Sequence, residues 1–416
     1  MNFTQDFFIN NRNNLFEKME NSSVLILGSN DQYPKNGDQY YTFRQQSDLY
    51  YLTGVKQEET ILLMLKNKEG YTKEILFLLK PNLKMETWEG KKLSKSDAYN
   101  ISGISNTLWN KSFNREFKLI SNQLKIAYLL AKDAFSLSSE LNTKHIRLKN
   151  IIVKDYPAIK VKSPRSMLNA LRLIKSEAEI QMMQKAVDIT NLAFLRILSE
   201  IKPQQFEYEV EAEISYVFRK NGANGHAYEP IVATGINACS LHYLKNDSEM
   251  KAGDLLLMDF GVDNNYYAAD LSRTIPVSGK FTERQKQLYQ LVLDVQKKSI
   301  ALYVPGNTID IVNKKTNAWM EEALSKIGLL KNKKDIERFF PHGTSHFLGI
   351  DVHDVGVKTI EFEEGMVLTC EPGLYIEEEN IGIRIENDIV VRNTPFDLMK
   401  NTVREIDEIE ALMIRK

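Results

Sequence analysis

The sequence predicts a mixed α/β (α+β) protein of two domains, an N-terminal α/β domain over residues 1–165 and a second domain over residues 166–416. Three observations predict it. Short apolar runs separated by polar turns fill the first third, as the buried strands of an α/β domain do. Long helical patterns with one apolar face occupy the second part. A strand–loop–strand pattern carrying two acidic residues also occurs twice there, with nearly the same interval between matching acids, which marks an internal duplication. At 416 residues the chain has length for two or three domains with ample core.

In chain order, "SVLILG", "ILLMLK", "EILFLLK" and "KIAYLLA" read as strands of the first domain. Polar, Gly- and Asn-containing turns and helix-like segments such as "DAFSLSSELNTK" separate them. A helix opens at Ser176, where Ser176 and Glu179 form a capping box, and Ile180, Met183, Val187, Phe194 and Leu198 recur on one face. "LLLMDFGVDNNYYAADLSRTI", residues 255–275, reads as strand, turn, strand. Asn tolerates positive φ, so Asn264 and Asn265 suit the centre of a primed turn. That register sets Asp259 directly opposite Asp270, where like charges destabilise a sheet. A second helical pattern follows in "TERQKQLYQLVLDVQKKSIALY". "GMVLTCEPGLYIEEENIGIRIENDIVV" then repeats the hairpin and, centred on "EEEN", opposes Glu371 to Glu386.

The charge balance, 54 basic against 55 acidic residues for a net −1, points to neither nucleic acid nor an anionic membrane as partner. The opening "MNFTQDFFINNRNNLFEKME" is polar where a signal peptide needs an apolar core, and no apolar run approaches the ~20 residues of a membrane span. Cys239 and Cys370 fit a reducing compartment and offer no metal-binding spacing. A cytoplasmic protein is expected.

Two opposed acidic pairs on strands this apolar need positive charge between them. Unpaired burial would cost several kcal/mol each or force the carboxyls to protonate. Two divalent cations would balance all four. Histidine usage agrees: of six, His342, His346 and His353 fall within "HGTSHFLGIDVHD", and His242 lies just ahead of the first acidic hairpin. Four carboxylates with an imidazole make an oxygen-rich site that suits Mn²⁺, Co²⁺ or Fe²⁺ better than a thiolate zinc site would. Arg384 is two residues from Glu386, so both point to one strand face, where an ion pair to one of these carboxylates is one reading. No HExxH, GxSxG, GxxxxGK or CxxC offers rival chemistry.

The ordered set "MDFGVDNNYYAADLSRTIPVSGKF", "HGTSHFLGIDVHDVG", "TCEPGLY" and "GIRIENDIVV" resembles the pita-bread metallopeptidases, in particular the Xaa-Pro aminopeptidases, over roughly residues 170–416. Upstream, "FRQQSDLYYLTGV" and "ETWEGKKL" are similar to segments of that family's N-terminal domain. The resemblance implies a pseudo-symmetric pita-bread catalytic domain behind that N-terminal domain. It implies two divalent ions, manganese first, with cobalt, iron or zinc as alternatives, on Asp259, Asp270, His346, Glu371 and Glu386. Asp270 and Glu386 would bridge both ions, and Glu371 would also shuttle a proton. His242 and His353 would assist the substrate carbonyl and the leaving nitrogen, while His342, Arg384 and Tyr228 would contact the peptide. The implied reaction is hydrolysis of the N-terminal Xaa–Pro bond by a metal-bridging hydroxide, in a dimer or tetramer. Prolidase and a non-catalytic peptide-binding relative stay open as alternatives. Where the family often has Asp after the bridging Glu, this chain has Asn387, expected on the opposite strand face. Cys370 is expected to be a buried thiol.

Overall fold

The computed structural model describes residues 3–130 and 142–414. It divides into two compact units, Met1–Leu171 and Arg172–Lys416. The first unit centres on a six-stranded sheet of β1 (Ser23–Gly28), β2 (Ile61–Lys66), β3 (Thr72–Leu78), β4 (Thr107–Trp109), β5 (Ile126–Leu129) and β6 (Lys160–Lys162), in the order β4-β3-β2-β1-β5-β6. The four apolar runs supply β1, β2, β3 and β5. Strands β1, β2 and β3 pair antiparallel, while β4, β5 and β6 join in parallel. Helix α1 (Gln5–Lys18) opens the unit. Helices α2 (Phe113–Ser121) and α3 (Lys144–Asp155) bury Phe113, Phe117, Leu148 and Ile152 against Val24, Ile26, Leu63 and Phe77 of the sheet. The helix-like reading of residues 133–144 falls mostly outside the described residues.

In the second unit, α4 (Glu177–Glu200) starts at the Ser176 capping box, with Ser176 N–H donating to Glu179 Oε2 at 2.8 Å and Glu179 N–H to Ser176 Oγ at 3.4 Å. Its apolar stripe, Ile180, Met183, Val187, Phe194 and Leu198, is buried. Helix α5 (Glu207–Lys220) follows, and α6 (Glu283–Ile300), capped by Thr282, forms from the second helical pattern. Among the described residues no helix is long and apolar enough to cross a membrane.

The strands of this unit that build the two hairpins and their neighbour are β7 (Ile231–Thr234), β8 (Leu255–Phe260), β9 (Val262–Asn264), β10 (Tyr267–Ala268), β11 (Leu271–Pro276), β12 (Val367–Cys370), β13 (Gly373–Ile376), β14 (Ile381–Arg384) and β15 (Asn387–Val390). The first acidic hairpin departs from its expected register. Its turn is Asn265-Tyr266, at φ 51° and 71°, and Asn264 pairs with Tyr267 as a strand residue. Asp259 therefore faces Ser272, not Asp270. The cause is local: Asp263 Oδ1 accepts the Tyr266 N–H at 2.9 Å, an Asx-type closure one residue later than two adjacent asparagines suggest. Between β8 and β9 the chain pinches at Gly261, where a Cβ would lie 1.7 Å from the Ala269 carbonyl oxygen.

The second hairpin keeps the expected register. Ile376 pairs with Ile381 and Gly373 with Arg384, and Cys370 pairs with Asn387, which sets Glu371 and Glu386 at matching positions between the two ladders. The two hairpins lie side by side, joined by Glu386 N–H to Ser272 O at 3.1 Å and Arg384 N–H to Thr274 Oγ1 at 3.2 Å. Behind the seam the fully buried Arg273 donates to the Ser272, Glu386 and Val403 carbonyls and to Asn387 Oδ1. Asn387 thus faces away from the carboxylates, and Cys370 lies in an apolar cluster.

Candidate metal centre

All ten residues singled out above line one cavity of about 490 Å³ in the second unit. Ligand atoms of Asp270, His346 and Glu386 lie within 4.8 Å of one another. Tyr228 ties the first pair of acids together: its hydroxyl lies 2.6 Å from Asp259 Oδ1 and 2.5 Å from Asp270 Oδ1. Tyr228 is set there by Ala227, whose N–H bonds the Gly261 carbonyl at 2.9 Å, so the pinch in the hairpin also places the tyrosine. Burial, then the charges of Asp259 and Asp270, push its hydroxyl well above the ordinary tyrosine range, so it stays a donor.

His346 comes from a segment laid along β12, with Thr369 N–H donating to the His346 carbonyl and Glu371 N–H to that of Thr344, both at 2.9 Å. Its Nδ1 donates to the Phe347 carbonyl at 3.1 Å, and its Nε2 stands 3.3 Å from Asp270 Oδ2 and 3.8 Å from Glu371 Oε1. A ring oriented by such a carbonyl presents the other nitrogen for ligation. Burial opposes a charge on His346, but the Asp270 hydrogen bond and the Glu371 charge prevail and push it up to about 9. Burial pushes Glu371 up to about 7 against the pull of His346 and Arg384. Burial and mutual repulsion raise Asp270, and lift Glu386 well above the usual carboxylate range. Like-charged carboxyls held this close and this buried are a donor set that a divalent cation would satisfy. The site fits a metal.

Arg384 is committed. Its Nη2 donates to Asp259 Oδ2 at 2.6 Å, its Nε to Ser272 Oγ at 2.8 Å, and its Nη1 to Tyr375 Oη at 2.9 Å. The ion-pair reading is the one this geometry favours. His342 is committed too: Nδ1 donates to the Gly343 carbonyl at 2.7 Å, so Nε2 accepts from Tyr375 Oη at 2.8 Å. Burial and the Arg384 charge push His342 down to about 4, which keeps it neutral. His242 and His353 are exposed at the cavity. His242 follows a 3₁₀ turn (Gly235–Cys239) pressed so close to β14 that a Cβ on Gly382 would lie 2.3 Å from the Ala238 carbonyl oxygen. His353 meets the edge of His346, ring centroids 4.5 Å apart.

Sequence reasoning missed Tyr375 and Ser272. Tyr375 bridges Arg384 and His342, and Ser272 donates to Glu386 Oε2 at 2.6 Å. Ser272 falls on the face of Asp270 by strand alternation, a signal that was present; an aromatic in an apolar strand carries none.

Residues 181–393 match the family model for metallopeptidase family M24, and residues 8–128 match that for the aminopeptidase P N-terminal domain. The chain is 35% identical to the Xaa-Pro aminopeptidase of Escherichia coli (strain K12), over 98% of this chain and 97% of that one. Among solved structures it is similar to zinc-substituted E. coli aminopeptidase P in complex with product, with a TM-score of 0.93, 33% identity and 99% of each chain covered. Proline aminopeptidase P II from Yersinia pestis gives a TM-score of 0.91 at 35% identity, with 99% of each chain covered.

Proposed function

Because this chain belongs to metallopeptidase family M24, with an aminopeptidase P N-terminal domain ahead of a pita-bread catalytic domain, we propose that it hydrolyses the N-terminal Xaa–Pro bond of peptides. The observation that carries the reading is the convergence of Asp259, Asp270, Glu371, Glu386 and His346 on one cavity. These five would hold two divalent ions, with Asp270 and Glu386 touching both. The oxygen-rich set favours Mn²⁺, with Co²⁺, Fe²⁺ or Zn²⁺ as alternatives. Bound there, the ions would polarise the scissile carbonyl and acidify a water at working pH.

The residues of the chain divide the remaining work. Glu371, a carboxylate on the cavity wall, would accept a proton from the attacking water and return it to the leaving nitrogen. His242 and His353, exposed on the cavity, are placed to donate to the developing oxyanion and to the leaving group. Arg384 and Tyr228 hold Asp259 in place, and His342 walls the cavity with both ring nitrogens engaged. A homo-oligomeric, cytoplasmic enzyme completes the reading.

The test is hydrolysis with added Mn²⁺ of an Xaa-Pro-Yaa tripeptide beside an Xaa-Pro dipeptide. We expect tripeptide cleavage at the Xaa–Pro bond with kcat/KM at least equal to that for the dipeptide, and none after N-acetylation. Dipeptide turnover alone would make the enzyme a prolidase. No turnover, with metal bound, would make it a peptide-binding relative.

A further inference from the structure

His353 sits in a stretch, residues 348–356, that belongs to no helix and no strand. What fixes it lies on its far side. Lys175 Nζ donates to Asp354 Oδ2 at 3.0 Å, and Arg172 Nη2 to Asp354 Oδ1 at 2.5 Å and to Asp351 Oδ2 at 2.7 Å. The side chains of Arg172, Lys175 and Asp354 are 4%, 1% and 1% exposed and that of Asp351 is 39%, so the inner three are buried and the cluster is balanced, two cations against two anions. Burial works against the Asp354 charge, but Lys175 and Arg172 outweigh it and hold the carboxyl below its ordinary range. Val352 and His353 line the cavity while Asp351 and Asp354 turn back to the cations.

The loop is closed on itself and on the metal centre. Asp354 N–H donates to the Phe347 carbonyl at 2.9 Å, and Ala268 N–H, two residues from Asp270, to that of Gly349. A Cβ at Gly349 would lie 2.2 Å from Asp354 Oδ2 and 2.9 Å from Lys175 Cε, so the cluster admits no side chain there. Lys175 is in turn pinned by its N–H to the Gly365 carbonyl at 2.9 Å, just ahead of β12, the strand that leads into Glu371.

We propose that Arg172 and Lys175, through Asp351 and Asp354, are positioning residues that fix His353 over the reacting centre, an inference that rests on His353 acting on the substrate. A catalytic group on irregular backbone needs such a clamp, because a misplacement of about 1 Å costs on the order of 10²-fold in rate. The clamp touches no substrate. Its loss should lower kcat and leave KM and metal content unchanged.

The experiment is a double-mutant cycle on an Xaa-Pro-Yaa peptide, with metal content measured for every variant. Lys175→Met should lose about 10-fold in kcat with KM within about twofold, and Lys175→Arg should recover most of it. In a His353→Ala background Lys175→Met should cost nothing more, because the clamp acts only through that ring. Asp351→Asn, which removes only the half-exposed outer pair, should show the same non-additivity with a smaller loss, and it decides the matter if Lys175→Met does not fold. An unchanged kcat in Lys175→Met, or a loss that persists in full without His353, would overturn the proposal. A His353→Ala variant with full kcat would instead remove the role of His353 on which the clamp rests, and the single variant alone reveals that.

Discussion

Asp270 and Glu386 carry the most weight of any two side chains here. Each is buried, each has its carboxyl lifted above the ordinary range, and together with His346 they offer ligand atoms within 4.8 Å. Asp270→Asn or Glu386→Gln should therefore disturb both of the proposed metal positions at once, and metal analysis should show less than one ion per chain with activity lost in step. Full activity in either variant would sink the ligand assignment. The exposed histidines should behave differently. His242→Ala and His353→Ala should keep their metal and lose on the order of 10²-fold in kcat, as expected for groups that act on transition-state charge. Metal loss in proportion to activity would show that the ring is a ligand or a support. At this scale the site was legible, because carboxylates and imidazoles on apolar strands have few structural uses. Tyr375 was not, since tyrosine in a core strand is ordinary packing, whereas Ser272 could have been found from its place on the face of Asp270.

The elements were legible to the extent that their signals were local. The capping box at Ser176 and the "EEEN" turn both form where their residues demand, with Asn380 at φ 53° closing the turn. The first hairpin misled because two adjacent asparagines suit a primed turn in either of two frames. The side chain of Asp263, invisible to a propensity argument, selects the later one. The observed frame makes a distinct prediction. Asn264→Gly should destabilise by about 0.5–1 kcal/mol, because Asn264 pairs as a strand residue in this frame, while Asn265→Gly should change stability by only about a few tenths, because Asn265 already sits at positive φ. Equal effects in thermal melts would contradict the frame. Gly261→Ala should be far worse, since its Cβ would sit 1.7 Å from the Ala269 oxygen in the pinch that lets Asp259 and Asp270 share Tyr228. We expect a loss of about 3 kcal/mol or more, together with weakened metal binding, read by unfolding and by metal titration.

In the second unit as a whole, the duplicated hairpins lie side by side and confine four carboxyls in one cavity, so folding and metal binding are coupled. The coupling has a sign that pH can read. Without metal, Glu371 is pushed up to about 7 from an ordinary 4.5, so the folded state holds a proton that the unfolded chain releases earlier. Stability from this group is complete below about pH 4.5 and is lost as pH rises through 7, a cost on the order of 3 kcal/mol. Asp270 and Glu386, also raised, act in the same direction. His346, pushed up to about 9 from 6.5, contributes stability below 6.5 that is lost as pH climbs through 9. All four slopes agree. His342, held down to about 4, slopes the other way below about pH 6.5, so chelated protein should melt at progressively lower temperature from about pH 6.5 to pH 8.5. Metal-loaded protein should not, because cations hold the carboxylates ionised and His346 neutral, and so replace the protons that the empty cluster would need. Parallel melts with chelator and with Mn²⁺ across that range decide it. A chelated protein whose melting temperature rises with pH would mean that these carboxyls already ionise on their own, and the electrostatic argument for two cations would fail with it.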